Sequence, residues 1–204
     1  MKLVVKFGGT SLASVKDIQN VANSVSKLSN DNKIVVVCSA IDGITDELIN
    51  ISEKIKKENK KDANRILARI SQKHKQFATH IVTNPKIQKP LLDKIKSDLS
   101  ELEELVHGLL LLGEITPRSF DYLISFGERL SINLVSFGLQ QIKKRSIPLS
   151  GKQAGIVTDS NFGESRPLMD TTRIRLSKTI QEVFDKKIIP VVGGFAGADQ
   201  HGNT

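Results

Sequence analysis

The chain of 204 residues contains no tryptophan, one tyrosine and one cysteine. Because Cys38 is the only cysteine, no internal disulfide can form, and its place after the apolar residues 34–37 favours a buried, inert thiol. No apolar run approaches the ~20 residues that a membrane-spanning helix needs, and residues 1–6 are too short for the apolar part of a signal peptide. We therefore expect a cytoplasmic protein with no membrane partner.

The sequence also lacks the pattern of a nucleic-acid-binding surface. Its net charge of +8 is compatible with nucleic acid, an anionic membrane surface or small anionic substrates. The densest lysine cluster, in residues 54–61, is interrupted by a glutamate and contains no aromatic residues, which is typical of a solvated helix face. The charge therefore favours small anions as partners, and we expect no nucleic acid.

Familiar metal-binding and covalent catalytic patterns are missing as well. The histidines show no metal-ligand spacing, and the single cysteine excludes a Cys-x-x-Cys pair. No Ser-His-Asp or paired-carboxylate arrangement has a supporting context. We expect no metal site in the chain.

Strand-like apolar runs alternate with helical periodicity along the sequence. The runs cover residues 3–7, 34–38 and 188–192, with shorter candidates at 146–149 and 155–157. This alternation predicts an α/β fold with a parallel or mostly parallel sheet covered by helices. The β-branched run at 188–192 is typical of a central strand.

The longest helical region lies at residues 62–112, where the apolar periodicity is interrupted near Asn84. We interpret it as two long helices that form a hairpin inserted between strands, because a crossover between parallel strands needs only one helix. Another helix is expected at residues 117–141, and Ser14 with Asp17 resembles a capping box ahead of the first helix. No internal repeat or domain boundary is evident.

The first candidate site follows the first strand, in residues 6–11 with the sequence Lys-Phe-Gly-Gly-Thr-Ser. Gly8 and Gly9 allow close approach of a ligand to the backbone, and their N–H groups with the next helix N-terminus favour an anion. Lys6 could add a charge that neutralises a transferring phosphoryl group. The alternative is that the glycine pair only turns the chain, and it matches neither the P-loop nor the dinucleotide-binding pattern.

The second candidate is the turn at residues 39–45, which also joins a strand to a helix. If the first two strands are neighbours, Ser39 and Thr45 lie beside the glycine turn, in the crevice where open α/β sheets bind ligands. The alternative interpretation makes Thr45 a helix N-cap.

The third candidate lies inside an apolar helix, at residues 125–131. Gly127 costs helix stability, about 1 kcal/mol relative to alanine, so it indicates close packing or a ligand. Glu128 is a carboxylate among core residues and needs a partner, either a substrate ammonium group or a basic residue such as Arg129. A fourth candidate, residues 193–197, is a second strand exit rich in glycine.

These segments resemble the amino acid kinase family, and within it the aspartate kinases. Residues 6–11 and 126–131 are similar to two signatures of those enzymes, and residues 151–163 and 194–197 follow their pattern in the same order. The resemblance implies a three-layer αβα sandwich. It also implies transfer of the γ-phosphoryl group of Mg-ATP to the β-carboxylate of L-aspartate, giving 4-phospho-L-aspartate on the route to lysine, threonine and methionine.

The resemblance assigns roles to individual residues. Lys6 would be catalytic and contact the transferring phosphoryl group. The phosphate-binding group would be Gly8, Gly9, Thr10 and Ser11. The aspartate-binding group would be Ser39, Thr45 and Glu128, with Glu128 pairing with the α-ammonium group.

The sequence departs from the family pattern at its end. In aspartate kinases the glycine segment runs on into Thr-Thr-Leu-Gly-Arg-Gly-Gly-Ser-Asp, whereas this sequence stops at Thr204. We interpret residues 1–204 as the N-terminal part of a kinase domain with a helical insertion near 62–112. The nucleotide-binding half and the ACT domains would be absent, and the Mg-ATP site would lie largely outside the chain. Little kinase activity is expected of the chain alone, and a homo-oligomer is expected.

Two other functions stay open. A sibling kinase acting on glutamate, acetylglutamate, carbamate or UMP would share the fold and the first glycine turn, although residues 126–131 argue against it. A non-catalytic binding or dimerisation module would use the helical region 62–112 as a partner surface.

Overall fold

The computed structural model describes all of residues 1–204 and contains one sheet of four parallel strands. The strands are β1 (Lys2–Phe7), β2 (Lys33–Cys38), β3 (Ser146–Leu149) and β4 (Ile189–Gly193). Their order is β1-β2-β4-β3. The predicted parallel α/β fold is therefore confirmed, and the run at 188–192 is a central strand as expected.

Seven helices and a short 3-10 turn connect and cover the strands. They are α1 (Val15–Leu28), α2 (Ile44–Lys56), α3 (Lys60–Ile81), α4 (Pro85–Leu112), α5 (Pro117–Gln141), α6 (Gly151–Ala154) and α7 (Met169–Asp185), with the turn at Gly9–Leu12. None of these helices contains a stretch both long and apolar enough to span a membrane.

Side-chain caps explain where several of the helices start. Ser14 Oγ accepts a hydrogen bond from the Asp17 backbone N–H at 3.1 Å and donates one to Asp17 Oδ2 at 2.5 Å, so the predicted N-cap of α1 is confirmed. Between α3 and α4, the side chain of Asn84 caps the new helix and Pro85 is its first residue. The predicted break near Asn84 is therefore also confirmed, and α3 and α4 pack against each other.

One predicted strand is wrong. Residues 155–157 do not form a strand, and only Val157 makes an isolated bridge, to Ala198. Gly155 has a φ of +96° and ends α6, a backbone conformation that glycine tolerates and a strand does not contain.

The sheet separates two helical layers. On one face, Ile34, Val36 and Cys38 of β2 are buried in a core of 37 residues that extends from the sheet through α1, α2 and α5 into the α3–α4 hairpin. On the other face, α7 packs on Leu149 and Val192. These layers form the αβα sandwich. Fifteen of the 25 residues of α5 are buried, so this helix lies inside the protein and contacts neighbours on most of its sides.

Candidate functional site

Three loops are joined at the carboxyl edge of the sheet. The Ser39 N–H donates to the Phe7 carbonyl at 3.1 Å, and the Gly194 N–H donates to the Cys38 carbonyl at 3.0 Å. The exits of β1, β2 and β4 are thereby bonded to one another. This confirms that the Ser39 turn lies beside the first glycine turn, at the edge where open α/β sheets bind ligands.

The two glycines of the first turn differ in what surrounds them. A Cβ on Gly9 would lie 3.3 Å from the Ala40 carbonyl oxygen, so Gly9 permits close packing against the Ser39 turn. Gly8 has a φ of −79°, which any residue can adopt, and a Cβ there would meet nothing within 4 Å. Packing therefore explains Gly9 and leaves Gly8 as an open stretch of backbone.

The remaining polar residues of this turn are exposed. Lys6 is the next-to-last residue of the edge strand β1 and has its side chain in solvent, and Thr10 and Ser11 lie in the following 3-10 turn. Their exposure leaves an ammonium group and two hydroxyl groups free to meet a ligand beside Gly8.

Thr45 is not the N-cap of α2, which corrects the alternative interpretation. The helix starts at Ile44, and its N-cap is Gly43, with a φ of +78° and no side-chain capping bond. The tight turn needs a left-handed residue at this position, so glycine replaces the usual hydroxyl cap. Thr45 is an exposed residue of the first helical turn.

Glu128 is bound by backbone N–H groups rather than by a basic side chain. The residue is 4% exposed. Its Oε2 accepts a hydrogen bond from the Phe195 N–H at 2.6 Å, and its Oε1 accepts one from the Ala196 N–H at 2.9 Å. Arg129 pairs instead with Asp98 and Glu101. The interpretation of Arg129 as the partner of Glu128 is therefore wrong, because the side chains of successive residues lie on different faces of a helix.

Burial dominates the electrostatics of this carboxylate. It raises the pKa of Glu128 to about 7, against the opposing effect of the N–H groups of Ala196, Phe195 and Gly194. Burial, with the nearby charge of Glu128, also holds the pKa of the Cys38 thiol far above its usual range. The thiol is fully buried, as predicted. Near neutral pH the carboxyl group of Glu128 can therefore be either ionised or protonated. No basic side chain of the chain forms an ion pair with it.

Two glycines let the helix α5 approach the loops. A Cβ on Gly127 would lie 2.8 Å from the Ala40 Cβ, and one on Gly193 would lie 2.7 Å from Glu128 Oε1. Contacts this short do not occur between real Cβ atoms and fixed neighbours, so Gly127 serves close packing. Gly193 leaves the space that the carboxylate of Glu128 occupies.

Two features of the site escaped the sequence analysis. Ser131 Oγ donates to the Ser39 carbonyl at 2.6 Å and so ties α5 to the second turn. Its only signal is a small hydroxyl three residues after Glu128 in an otherwise apolar helix. The structure also places a cavity of about 340 Å³ beside Phe195 and Ala196, and neither Lys6 nor Thr45 lines it.

The parallel sheet, its three joined glycine and hydroxyl turns, and the buried carboxylate define an α/β protein with a candidate ligand site at the carboxyl edge of the sheet. The model of the amino acid kinase family matches residues 1–204, and the chain belongs to this family.

The relatives it resembles are aspartokinases. The chain is 29% identical over 202 residues to the aspartokinase of Geobacillus stearothermophilus. This alignment covers 98% of the present chain and 34% of the relative. It is 32% identical over 214 residues to the aspartokinase of Candida albicans, covering 96% of this chain and 37% of the relative. The chain thus spans about a third of the length of the curated relatives it matches.

Solved structures support the fold. E. coli aspartokinase III in complex with aspartate and ADP matches with a TM-score of 0.75 and 22% identity, covering 98% of this chain and 42% of that one. Aspartate kinase from Synechocystis matches with a TM-score of 0.52 and 25% identity, covering 100% and 23%. At these identities the similarity establishes the three-layer sandwich.

Proposed function

We propose that the chain is the acceptor-binding part of an aspartate kinase. The reaction transfers the γ-phosphoryl group of ATP to the β-carboxylate of L-aspartate and gives 4-phospho-L-aspartate, the first step toward lysine, threonine and methionine. The observation that carries the proposal is Glu128, a buried carboxylate without a cation at the carboxyl edge of the sheet. The aspartokinase relatives and the neighbour that binds aspartate and ADP support it.

In this proposal, the first glycine turn binds the phosphoryl group during its transfer. A carboxylate oxygen of aspartate forms the new bond to the γ-phosphorus, the bond to the bridging oxygen breaks, and ADP leaves with the electron pair. Lys6 is the catalytic residue that neutralises charge on this group, and the open backbone at Gly8 provides an N–H donor. The rest of the phosphate-binding group is Gly9, Thr10 and Ser11.

The proposal gives Glu128 the α-ammonium group of aspartate. An ionised carboxylate has about four acceptor positions, and the N–H groups of Phe195 and Ala196 use two of them. An ammonium group at a remaining position supplies the cation that the chain itself lacks, and it favours the charged form of Glu128. Ser39 and Thr45 complete the acceptor site on the neighbouring turn.

The proposal treats residues 1–204 as the N-terminal part of the kinase domain, with the nucleotide-binding half and the ACT domains elsewhere. Mg-ATP is then a co-substrate whose site lies largely outside the chain. A coupled assay of ADP release with L-aspartate should show little turnover by the 204-residue chain, and normal turnover would contradict this part of the proposal. A cytoplasmic homo-oligomer that binds neither nucleic acid nor membrane belongs to the same proposal.

Thermal stabilisation by ligands tests the acceptor. L-Aspartate at 100 times its dissociation constant should raise the free energy of unfolding by about 2.7 kcal/mol. L-Glutamate and UMP at equal concentration should not. Glu128→Gln should abolish the effect, whereas Glu103→Gln, on the exposed surface of α4, should preserve it. Stabilisation by glutamate or UMP instead of aspartate would assign the chain to a sibling kinase.

A further inference from the structure

The amino edge of the sheet, at which all four strands begin, carries a band of basic side chains. We refer to this band as the basic edge, and its members are Lys2, Lys33, residues 143–145 (Lys-Lys-Arg) and residues 186–187 (Lys-Lys). Because the strands are parallel, this edge lies opposite the turns at Gly8, Ser39 and Phe195. None of the residues assigned to phosphoryl transfer or to aspartate belongs to it.

Hydrogen bonds hold the turns of the basic edge side by side. β1 and β2 pair from their first residues, Lys2 and Lys33, which are therefore neighbours. Arg145 Nη1 donates to the Lys186 carbonyl at 3.0 Å. The Lys144 side chain reaches the turn before β2, where its Nζ donates to a neutral side chain at 2.9 Å. Since neighbouring strands are ~4.8 Å apart, the starts of the four strands form a continuous band about 15 Å wide.

No acidic side chain of the chain neutralises these charges. None of the basic side chains at this edge takes part in an ion pair. The carboxylates nearby in the sequence, those of Asp31, Glu182 and Asp185, form no ion pair either. In the lysine cluster at residues 54–61, by contrast, Lys56 pairs with the adjoining Glu53 at 3.0 Å. The basic edge is therefore a source of positive potential that the chain itself leaves unbalanced.

Backbone conformation also distinguishes this edge. Lys143 and Lys187, which follow the C-caps of α5 and α7, have φ values of +63° and +55°. Glycine is the usual residue at such a position, because a side chain there strains the backbone. The negative end of a helix favours a cation within its last turn, but Lys2 and Lys33 begin strands and lie at no helix end. Helix ends therefore explain only part of the basic edge.

We propose that the basic edge binds an acidic segment of a partner protein. Opposite charge selects this partner. An extended segment advances ~3.4 Å per residue, so about five residues span the band and present a carboxylate to it every ~7 Å. Nucleic acid fits less well, because the aromatic ring at this edge, Phe184, is 7% exposed beneath Lys33 and offers no free face to a base.

The probe is a fluorescently labelled peptide of ten glutamates, and its anisotropy is measured with the 204-residue chain. We expect binding at low salt that weakens as sodium chloride is added, because salt screens exposed charges. A labelled peptide of ten glutamines should not bind. Failure of the glutamate peptide to bind would overturn the proposal. Tighter binding of single-stranded DNA or of phosphatidylserine vesicles would assign the surface to nucleic acid or to a membrane, and would also overturn it.

Matched double variants locate the binding. Lys186→Gln with Lys187→Gln removes two exposed charges of the basic edge and should weaken binding of the glutamate peptide about fivefold, the effect of two exposed ion pairs. Lys60→Gln with Lys61→Gln removes two equally exposed charges at the start of α3 and should bind as the unaltered chain does. Equal weakening in both variants would reduce the effect to net charge and overturn the proposal.

A measurement on the unaltered chain avoids the risk that a variant misfolds. In a nuclear magnetic resonance titration with the glutamate peptide, the backbone amides of Lys143 and Lys187 should shift together along one saturation curve. The amides of Gly8 and Gly194, at the opposite edge of the sheet, should stay unchanged. Shifts at Gly8 and Gly194 without shifts at the two lysines would place the peptide at the carboxyl edge and overturn the proposal.

Discussion

Glu128 and Arg129 are neighbours in the sequence and have opposite surroundings. The carboxylate of Glu128 has only backbone N–H groups as partners, and burial raises its pKa to about 7. The guanidinium of Arg129 pairs with Asp98 at 3.0 Å and Glu101 at 2.6 Å, and it lies 4.3 Å from the ring centre of Phe126. Acidic side chains of the chain thus neutralise Arg129, whereas Glu128 has no counter-ion. Arg129 therefore belongs to a structural ion pair, and Glu128 is a candidate ligand-binding group.

The largest effect is expected from removing the ion pairs of Arg129. Arg129→Met leaves Asp98, which is 1% exposed, with only the half-exposed Lys94 as a cation. The free energy of unfolding should fall by about 3 kcal/mol, as measured by urea denaturation. Glu101→Gln removes the more exposed partner and should cost less, about 1 kcal/mol. Equal losses would contradict a buried role for Asp98.

The next largest effect is the pH dependence of stability that Glu128 causes. Because the pKa of Glu128 rises from 4.5 to about 7 on folding, its contribution to stability is full below pH 4.5 and is lost as the pH rises through 7. Glu128→Gln stays neutral, so its stability relative to the unaltered chain should grow by up to about 3 kcal/mol between pH 4.5 and 8. Urea denaturation at several pH values measures the difference.

A buried histidine also affects how stability depends on pH. The difference in stability between Glu128→Gln and the unaltered chain is therefore more informative than either stability curve alone. Burial lowers the pKa of His74 to about 4, so its contribution is full above pH 6.5 and is lost as the pH falls toward 4. It opposes the contribution of Glu128 over nearly the same range. Above pH 4.5, the stability of Glu128→Gln should therefore rise with pH as His74 becomes neutral in the unfolded chain, and a flat curve in this range would contradict that assignment.

Glycine substitutions test how closely α5 must approach the Ser39 turn. Gly127→Ala places a Cβ 2.8 Å from the Ala40 Cβ and should destabilise the fold by about 1–3 kcal/mol. Gly108→Ala lies in α4, where a Cβ meets nothing within 4 Å, and it should stabilise the fold by about 1 kcal/mol. Thermal unfolding compares the two, and changes of the same sign would show that helix propensity rather than packing decides.

The smallest effect is expected at Ser131. Ser131→Ala removes the bond to the Ser39 carbonyl and should cost about 1 kcal/mol. Amide hydrogen exchange of residues 39–41 should accelerate more than that of β2. Uniform acceleration over both would indicate a general loss of stability rather than a loosened turn.

The sequence predicted the features that depend on local pattern. The strand ends, the glycine turn at Gly8 and the helix break at Asn84 all follow from hydrophobic periodicity and from residues with restricted or permissive backbones. Residues 155–157 have the composition of a strand, but Gly155 adopts a positive φ that ends α6 instead.

The partner of Glu128 could not be read from the sequence. It is the backbone of Phe195 and Ala196, far along the chain, and every residue type except proline carries the same N–H group. Similarly, the N-cap of α2 depends on the geometry of the turn at Gly43 and not on the hydroxyl of Thr45. Tertiary contacts and backbone geometry decided both outcomes.

The strand order also constrains how the protein folds. β2 is complete early in the chain, but its second neighbour is β4, and Val36 pairs with Val191. β3 pairs only with β4, so it has no place in the sheet until the last strand inserts between it and β2. During synthesis, β1 and β2 can pair early, whereas the centre of the sheet stays open until β4 leaves the ribosome. Such non-local pairing slows folding, and it makes the arrival of residues 189–193 the step that closes the core.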